Sequence, residues 1–476
     1  MSRKRIFIGL GIGFIFLISS CSVPPSMVAR KENKTVPSAF LSPQDTLNTG
    51  KLKWKEFFSD PYLSALIDTA LKNNQELNII TQEINIANNE VLARKGQYLP
   101  FLNLEAGSGV ERSARYTRDG AVDANTEIMP GKKIPDPLSN HMIAAVASWE
   151  IDVWGKLHNA KKSAVANYLA SVEGRKFMIT NLVAEIASSY YELLALDNQL
   201  DMVKKNIDIQ SNALEIVKLQ KEATRVTELA VRKFEAEVLH TKSLQYDIQQ
   251  RIVETENTIN FLIGRFPQPI QRNSLGFIDM VPDTIHGGIP SQLLENRPDI
   301  KQAEQQLIAA KLDVKVAKAN FYPSLVLTAG IGYQAFNPKY LISPESMLYS
   351  MAGGLVAPLI NRNAIKAEYY SANSKQIQAV YHYEQTILRA HIEVINQLSN
   401  ISNLEKSYDL KSKQVQALTQ AIDISTTLFK SARADYMEVL LTQRDALDSK
   451  FELVETKMEQ MNARVNIYRA LGGGWN

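Results

Sequence analysis

From Trp54 onward, apolar side chains recur at steps of three and four. Leu63, Leu66, Ile67, Ala70, Leu71, Leu77, Ile80, Ile84 and Val91 form the first such series, the spacing of one face of an α-helix. Two later stretches carry the pattern much further. No Gly or Pro stands between Gly174 and Gly264, nor between Pro358 and Gly472. Helix breakers are thus missing over runs far longer than the roughly 11–12 residues of an average globular helix. Inside these runs Leu182, Ile186, Leu193, Leu196, Leu200, Val203, Ile207, Leu214 and Val217 form one seam, and Leu440, Leu447, Phe451, Val454, Met458, Met461, Val465 and Tyr468 another. Heptad-like steps sustained this long predict coiled-coil packing. A helix from Gly155 to near Leu219 would extend roughly 100 Å at about 1.5 Å per residue.

Four segments change period from 3.6 to two. Leu102, Leu104, Ala106, Ser108 and Val110 alternate with Asn103, Glu105, Gly107, Gly109 and Glu111, and Ile143, Ala145, Ala147, Trp149 and Ile151 alternate with Ala144, Ser148, Glu150 and Asp152. Leu325, Leu327, Ala329, Ile331 and Tyr333 form a third such series, and Met347, Tyr349, Met351 and Leu355 a fourth. Polar, Pro-containing loops, Arg112 to Asn140 and Gln334 to Glu345, join each pair. Alternation over about ten residues is the pattern of a membrane-crossing β-strand, and a soluble β-subdomain is the other reading of it. Four strands cannot close a barrel, and a sheet edge exposed to lipid would leave backbone groups unpaired. If these strands cross a membrane, the chain must oligomerise, with two, three or four copies giving roughly 8, 12 or 16 strands.

The chain also repeats internally. Thr224-Arg225-Val226-Thr227 and Ala432-Arg433-Ala434-Asp435 stand where the long helical runs turn, and Phe261 to Gly264 and Arg469 to Gly472 end the runs. Both pairs are offset by 208 (432 against 224, 472 against 264). Gln97 to Leu102 matches Asn320 to Leu325 at an offset of 223 (323 against 100). Such self-similarity predicts two copies of one structural unit, at 54–264 and 296–476, joined by a Pro-rich connector at 265–295.

The N-terminus determines the compartment. Arg3, Lys4 and Arg5 precede an apolar run from Ile6 to Ile18. That is shorter than the roughly 20 residues a spanning helix needs, but it suits a signal h-region. Ile18-Ser19-Ser20 leads to Cys21, the only cysteine in the chain. The arrangement resembles a lipobox, with residues 1–20 a lipoprotein signal peptide and the Cys21 thiol the site of lipidation. Ser22, rather than Asp, follows, the pattern of lipoproteins sent to the outer membrane. Residues 21–53, rich in Pro, Ser and Lys, have no period and suggest a lipidated tether. With one cysteine no internal disulfide can form. The net charge of +3 is spread along the chain, which argues against a nucleic-acid partner. Gly9, Gly11 and Gly13 lie inside the signal and lack the strand and helix start of a dinucleotide site.

These segments resemble the TolC/OprM/NodT outer-membrane factors over nearly the whole stretch from Trp54 to Trp475. The likeness rests on Trp54 to Pro61, Tyr98-Leu99-Pro100, Ser148 to Lys156, Arg297-Pro298-Asp299-Ile300, Phe321 to Leu325 and Leu471 to Trp475. The resemblance implies an α+β membrane protein: a homotrimer whose 12 strands, four per protomer, form one outer-membrane β-barrel continued by a long periplasmic α-helical barrel. It also implies a periplasmic adaptor (membrane fusion) protein and an inner-membrane RND transporter as partners, in addition to outer-membrane lipids. Arg433 to Leu441 matches the family's pore-gate segment, with Glu438 at an acidic-ring position. Leu441 and Thr442 replace an Asp-Ala pair found in many members, and Ala230 and Ala434 replace polar residues that help hold related gates closed. Arg433, Asp435 and Arg444 are then the candidates for other pairs. The adaptor is expected at Thr224 and Arg225 and at Ala432 and Arg433, where members often carry Gly in place of Ala223 and Ala432.

Catalysis finds no support in the sequence. His141, His158, His240, His286, His382 and His391 are scattered and form no metal-protease pair. Gly107-Ser108-Gly109 lacks the spacing of a nucleophile elbow, and Gly131-Lys132-Lys133 has no phosphate loop before it. No metal or cofactor is expected. The competing readings are the exit duct of a type I secretion system and a periplasmic coiled-coil scaffold lipoprotein that never crosses the membrane.

Overall fold

The computed structural model describes residues 30–40, 47–281, 284–358, 362–431 and 433–475. The signal peptide, Cys21 and Ala432 lie outside the described residues. The chain divides into two compact units. One holds Asn85–Leu169 and Gln305–Tyr381 together with the N-terminal stretch to Lys31; the other holds Glu32–Ile84, Ala170–Glu304 and His382–Asn476.

The first unit contains the strands β1 (Phe101–Glu111), the short hairpin β2 (Glu127–Met129) and β3 (Lys132–Lys133), β4 (Leu138–Ile151), β5 (Ser324–Ala335) and β6 (Met347–Val356). β1, β4, β5 and β6 form one antiparallel sheet in that order. The polar loop before β4 is more structured than its composition predicts, because it holds both the hairpin and a short helix, Arg118–Asn125, capped by the Thr117 hydroxyl. The sheet register brings the four alternations into phase. Leu104 stands opposite Ala145, Ala145 opposite Ile331, and Ile331 opposite Tyr349. Paired residues share a face of an antiparallel sheet. One face is therefore mainly apolar across all four strands, running from Leu102 and Leu104 to Met351 and Leu355, with Ser108 and His141 hydrogen-bonded to each other at one end of it. The other face is mixed: Asn103, Glu105, Ser148, Glu150, Thr328 and Ser350 stand on it among glycines and alanines, together with Met142, Val146, Val326 and Leu348. Within the described residues the outer edges of β1 and β6 pair with nothing.

The corner after β4 explains the motif Ser148 to Lys156. The Asp152 carboxylate accepts from the N–H groups of Leu157 at 3.0 Å and His158 at 2.8 Å, satisfying donors that a helix start leaves free. Trp154 stacks on Tyr322 at 4.7 Å and donates its indole N–H to the Pro323 carbonyl at 2.7 Å. Lys156 pairs with Glu150.

We number the principal helices α1 (Pro61–Asn73), α2 (Gln75–Tyr98), α3 (Lys156–Glu222), α4 (Glu228–Leu262), α5 (Pro298–Ala319), α6 (Asn363–Lys430) and α7 (Tyr436–Ala470). α3 and α6 contain 67 and 68 residues, and α4 and α7 contain 35 each. Each half of the chain thus runs helix, paired strands, very long helix, 35-residue helix.

The core of the second unit gathers the long seams. Leu182, Ile186, Leu193, Val454, Val465 and Tyr468 are all buried in one cluster with Trp54, Phe57, Leu63 and Ile67. Phe57 stacks flat on Tyr468 at 4.0 Å. Asp60 caps α1, accepting from the N–H groups of Tyr62 and Leu63, and its second oxygen accepts the Tyr190 hydroxyl at 2.8 Å. Burial and that bond both hold the Tyr190 hydroxyl well above its ordinary pKa. Gly264 ends the Schellman turn after α4 at φ +72, where a Cβ would lie 2.4 Å from the Asn73 carbonyl oxygen, so this position needs Gly.

Two segments read as connectors are packed rather than free. In 265–295, Ile270 and Phe277 are buried in the core, and Arg272 pairs with Asp197 at 2.6 Å and with Glu256. Burial opposes the Arg272 charge, but the two carboxylates outweigh it and raise its pKa. The described part of the expected tether is held as well: Lys34 pairs with Glu304 at 2.6 Å, Phe40 stacks on His391 at 5.3 Å, and Thr49 N–H donates to the His286 carbonyl at 3.0 Å. Isolated anchor residues of this kind have no period, so periodicity cannot find them.

Candidate functional site: the paired helix turns

The gate and adaptor candidates lie in the second unit, at the α3–α4 and α6–α7 turns. α3 closes with paired bonds: Arg225 N–H donates to the Gln220 carbonyl and Thr224 N–H to the Lys221 carbonyl, each at 2.8 Å. This is a Schellman end, and α6 shares its outer bond, from Arg433 N–H to the Leu428 carbonyl at 2.9 Å. The residue in left-handed backbone is Thr224, at φ +54. The site where a Gly would relieve strain is thus Thr224 and not Ala223, because a β-branched residue is disfavoured there.

The two turns converge on one apolar plug. Leu214 and Val217 of α3, Ala230, Val231, Phe234 and Val238 of α4 and Leu440 of α7 are buried together, with Val226, Phe429, Tyr436 and Met437 packed against them. Ala230 is fully buried. The structure therefore places this departure from the family pattern in the core, where a polar side chain would have to find a partner.

The candidate charges themselves do not meet. Thr224, Arg225, Arg433, Asp435, Glu438 and Arg444 are exposed, and Leu441 is 42 % exposed. Among the described residues of this chain, Arg433, Asp435, Glu438 and Arg444 enter no ion pair. The first turn is different. Glu228 pairs with Lys221 and, at 2.9 Å, with Arg232, which also reaches Glu235 at 2.8 Å. The Lys221 hydrogen bond, with Arg232 adding to it, lowers the Glu228 pKa. No sequence motif marks this brace, although Glu228, Arg232 and Glu235 have the i,i+4 and i,i+3 spacings that favour it.

α7 also carries a stripe that the motif search missed. Glu438, Asp445, Asp448, Glu452, Glu455 and Glu459 are all exposed and follow the three- and four-residue steps of a single helix face, with Leu441 also on it. Among them and within the described residues only Glu452 pairs with a cation, Lys411 at 3.4 Å.

Residues 66–265 and 289–473 match the family model described as "Outer membrane efflux protein". The chain belongs to the outer membrane efflux protein family. It is similar to the pyoverdine export outer membrane protein OpmQ of Pseudomonas aeruginosa, at 27% identity over 89% of this chain and 87% of that protein. It is also similar to the probable outer membrane lipoprotein SilC of Salmonella typhimurium, at 25% identity over 98% of both chains. In three dimensions it shares the fold of the Neisseria gonorrhoeae MtrE outer membrane channel, solved in its open state, with a TM-score of 0.83 and 22% identity over 95% of this chain and 99% of that one. The resemblance carried by the motifs is thus shown to be membership, and the function is that of an outer-membrane efflux channel.

Proposed function

We propose that this efflux protein is the exit duct of a tripartite RND-type pump, assembled from three copies. The observation that carries the reading is the sheet: four alternations are in register, one face is mainly apolar while every carboxylate of the sheet stands on the other, and among the described residues both edges lack a partner. Three copies joined edge to edge, β1 of one to β6 of the next, make a closed 12-stranded barrel with the apolar face to lipid. The equal lengths of α3 and α6, and of α4 and α7, support two copies of one unit whose long helices form the periplasmic part. Lipid on Cys21 anchors each copy to the outer membrane. The α7 acid stripe faces the lumen, and Glu438 and Leu441 stand at its constricted end. The adaptor binds at the two turns, around Thr224 and Arg225 and around Ala432 and Arg433, and the inner-membrane transporter delivers the substrate.

The test is conductance in a planar bilayer together with mass in detergent. The expected result is a trimer that forms ion-conducting channels, from a wild-type protein that takes up lipid label and a Cys21→Ala variant that does not. A detergent-solubilised monomer that conducts, or a trimer that never conducts, overturns the duct. Equal lipid label in wild type and variant overturns the anchor alone.

A further inference from the structure

The end of the connector and the C-terminal turn meet around an open pocket of about 210 Å³. Arg297, Asp299, Arg389, Glu393 and Arg469 line it, with Thr180 of α3 on its wall. Arg297 is already committed: its guanidinium binds Asp299 at 2.6 Å, Glu393 at 2.8 Å and the Ala470 carbonyl at 2.9 Å. Its charge is thus matched by two carboxylates inside the wall. Burial opposes the charge, and those partners outweigh it and raise the Arg297 pKa.

The other two arginines have no such partners. Arg389 and Arg469 are exposed, and their side chains enter no ion pair or hydrogen bond among the described residues. The lining therefore carries one positive charge more than its carboxylates balance. Two further features favour an anion. The N-terminus of the 22-residue helix α5, at Pro298 and Asp299, forms part of the wall, and such an end carries partial positive charge, of which the Asp299 carboxylate takes the Ile300 N–H at 3.0 Å. Thr180 is 2% exposed, and its hydroxyl oxygen has no hydrogen-bond partner. A buried hydroxyl left unpaired is costly, and this one is on the pocket wall.

We propose that the pocket binds a small oxyanion, a free phosphate or carboxylate. Arg389 and Arg469 supply charge-assisted hydrogen bonds, and the Thr180 hydroxyl donates a third. The bound group ties α3, α5, α6 and α7 together at the point where the second half of the chain begins and ends. The site is separate from the helix turns and does not depend on the duct reading.

The test uses the full-length protein in detergent, titrated with inorganic phosphate against sodium chloride at constant ionic strength, with acetate as a second arm. The expected result is a saturable rise in the unfolding midpoint of about 2 °C or more with phosphate. Arg389→Gln with Arg469→Gln removes the rise. Both side chains are exposed and unpaired, so the variant folds. Arg469→Lys keeps part of the response. Thr180→Val weakens apparent affinity by roughly tenfold, the worth of one charge-assisted hydrogen bond. An equal rise in the double variant overturns the site. So does a wild type that ignores both anions while the double variant assembles poorly, because a carboxylate of a second copy then occupies the pocket.

Discussion

α4 and α7 are both 35 residues long, both follow a turn at the same offset, and both pack on the same plug. Their outward faces are opposites. α4 exposes Leu229, Leu239, Tyr246 and Val253, each about half exposed or more, with the last three at heptad spacing. α7 exposes the carboxylates from Glu438 to Glu459. An apolar stripe left open on a helix is a surface that needs a partner, whereas a carboxylate stripe is stable only in water. Two helices of equal length thus carry opposite outward faces. On the trimeric reading, one helix of each pair faces a neighbouring copy and the other faces the aqueous lumen.

The largest expected effect comes from erasing the difference. Tyr246→Glu with Val253→Glu makes the α4 stripe acidic like that of α7, and native mass in detergent should then show loss of the trimer. An intact trimer would remove α4 from the subunit contact. Next in size is the shared plug. Phe234→Ala leaves a cavity beneath both turns and should cost about 3–5 kcal/mol, read as loss of amide protection in both turns together. If only the α3–α4 turn loosens, the two turns are not coupled through the plug.

The α7 stripe gives a functional effect of intermediate size. Asp445→Asn with Asp448→Asn should shift the reversal potential in asymmetric salt toward zero, because lumen carboxylates favour cations. On the proposed placement of Glu438 at the narrow end, Glu438→Ala should do the same and also raise conductance. Unchanged selectivity in both variants would place the stripe outside the lumen.

The smallest effects are in the turns. Thr224→Gly should stabilise the first turn by up to about 1 kcal/mol by removing the left-handed strain, read by hydrogen exchange at Arg225 and Val226. The Glu228 brace has the opposite pH logic to a histidine switch. The Glu228 pKa is lowered by folding, so its contribution is complete above its ordinary value near 4.5 and disappears as pH falls through the lower folded value. Acid should therefore loosen the α3–α4 turn before the unbraced α6–α7 turn, and Glu228→Gln should abolish that order.

The sequence reveals most of the scaffold because the scaffold is periodic. Heptad steps and the absence of Gly and Pro located α3, α4, α6 and α7 to within a few residues, and the alternating segments located all four strands of the sheet. It reveals less where structure depends on single contacts. Phe277 in the connector and Phe40 near the N-terminus stand in short apolar stretches with no helical or strand period, and only the fold shows what they touch. The α7 stripe is a different case. Its spacing is present in the sequence, but exposed carboxylates on a helix read as ordinary solvent-facing residues until the buried face of α7 has been placed. At the candidate gate the sequence offers charged residues but no pairing for them, and among the described residues Arg433, Asp435, Glu438 and Arg444 enter no ion pair.

The unfinished edges of the sheet bear on how the protein is made. Among the described residues β1 and β6 each leave a row of backbone donors and acceptors unpaired, and on the trimeric reading a newly exported copy cannot complete its membrane segment alone. Insertion is then a reaction among copies, and its rate rises steeply with their local concentration. At low supply the waiting chains present two adhesive strands to whatever they meet, which favours misassembly and proteolysis over slow accumulation. Halving synthesis should therefore lower the number of finished channels by much more than half.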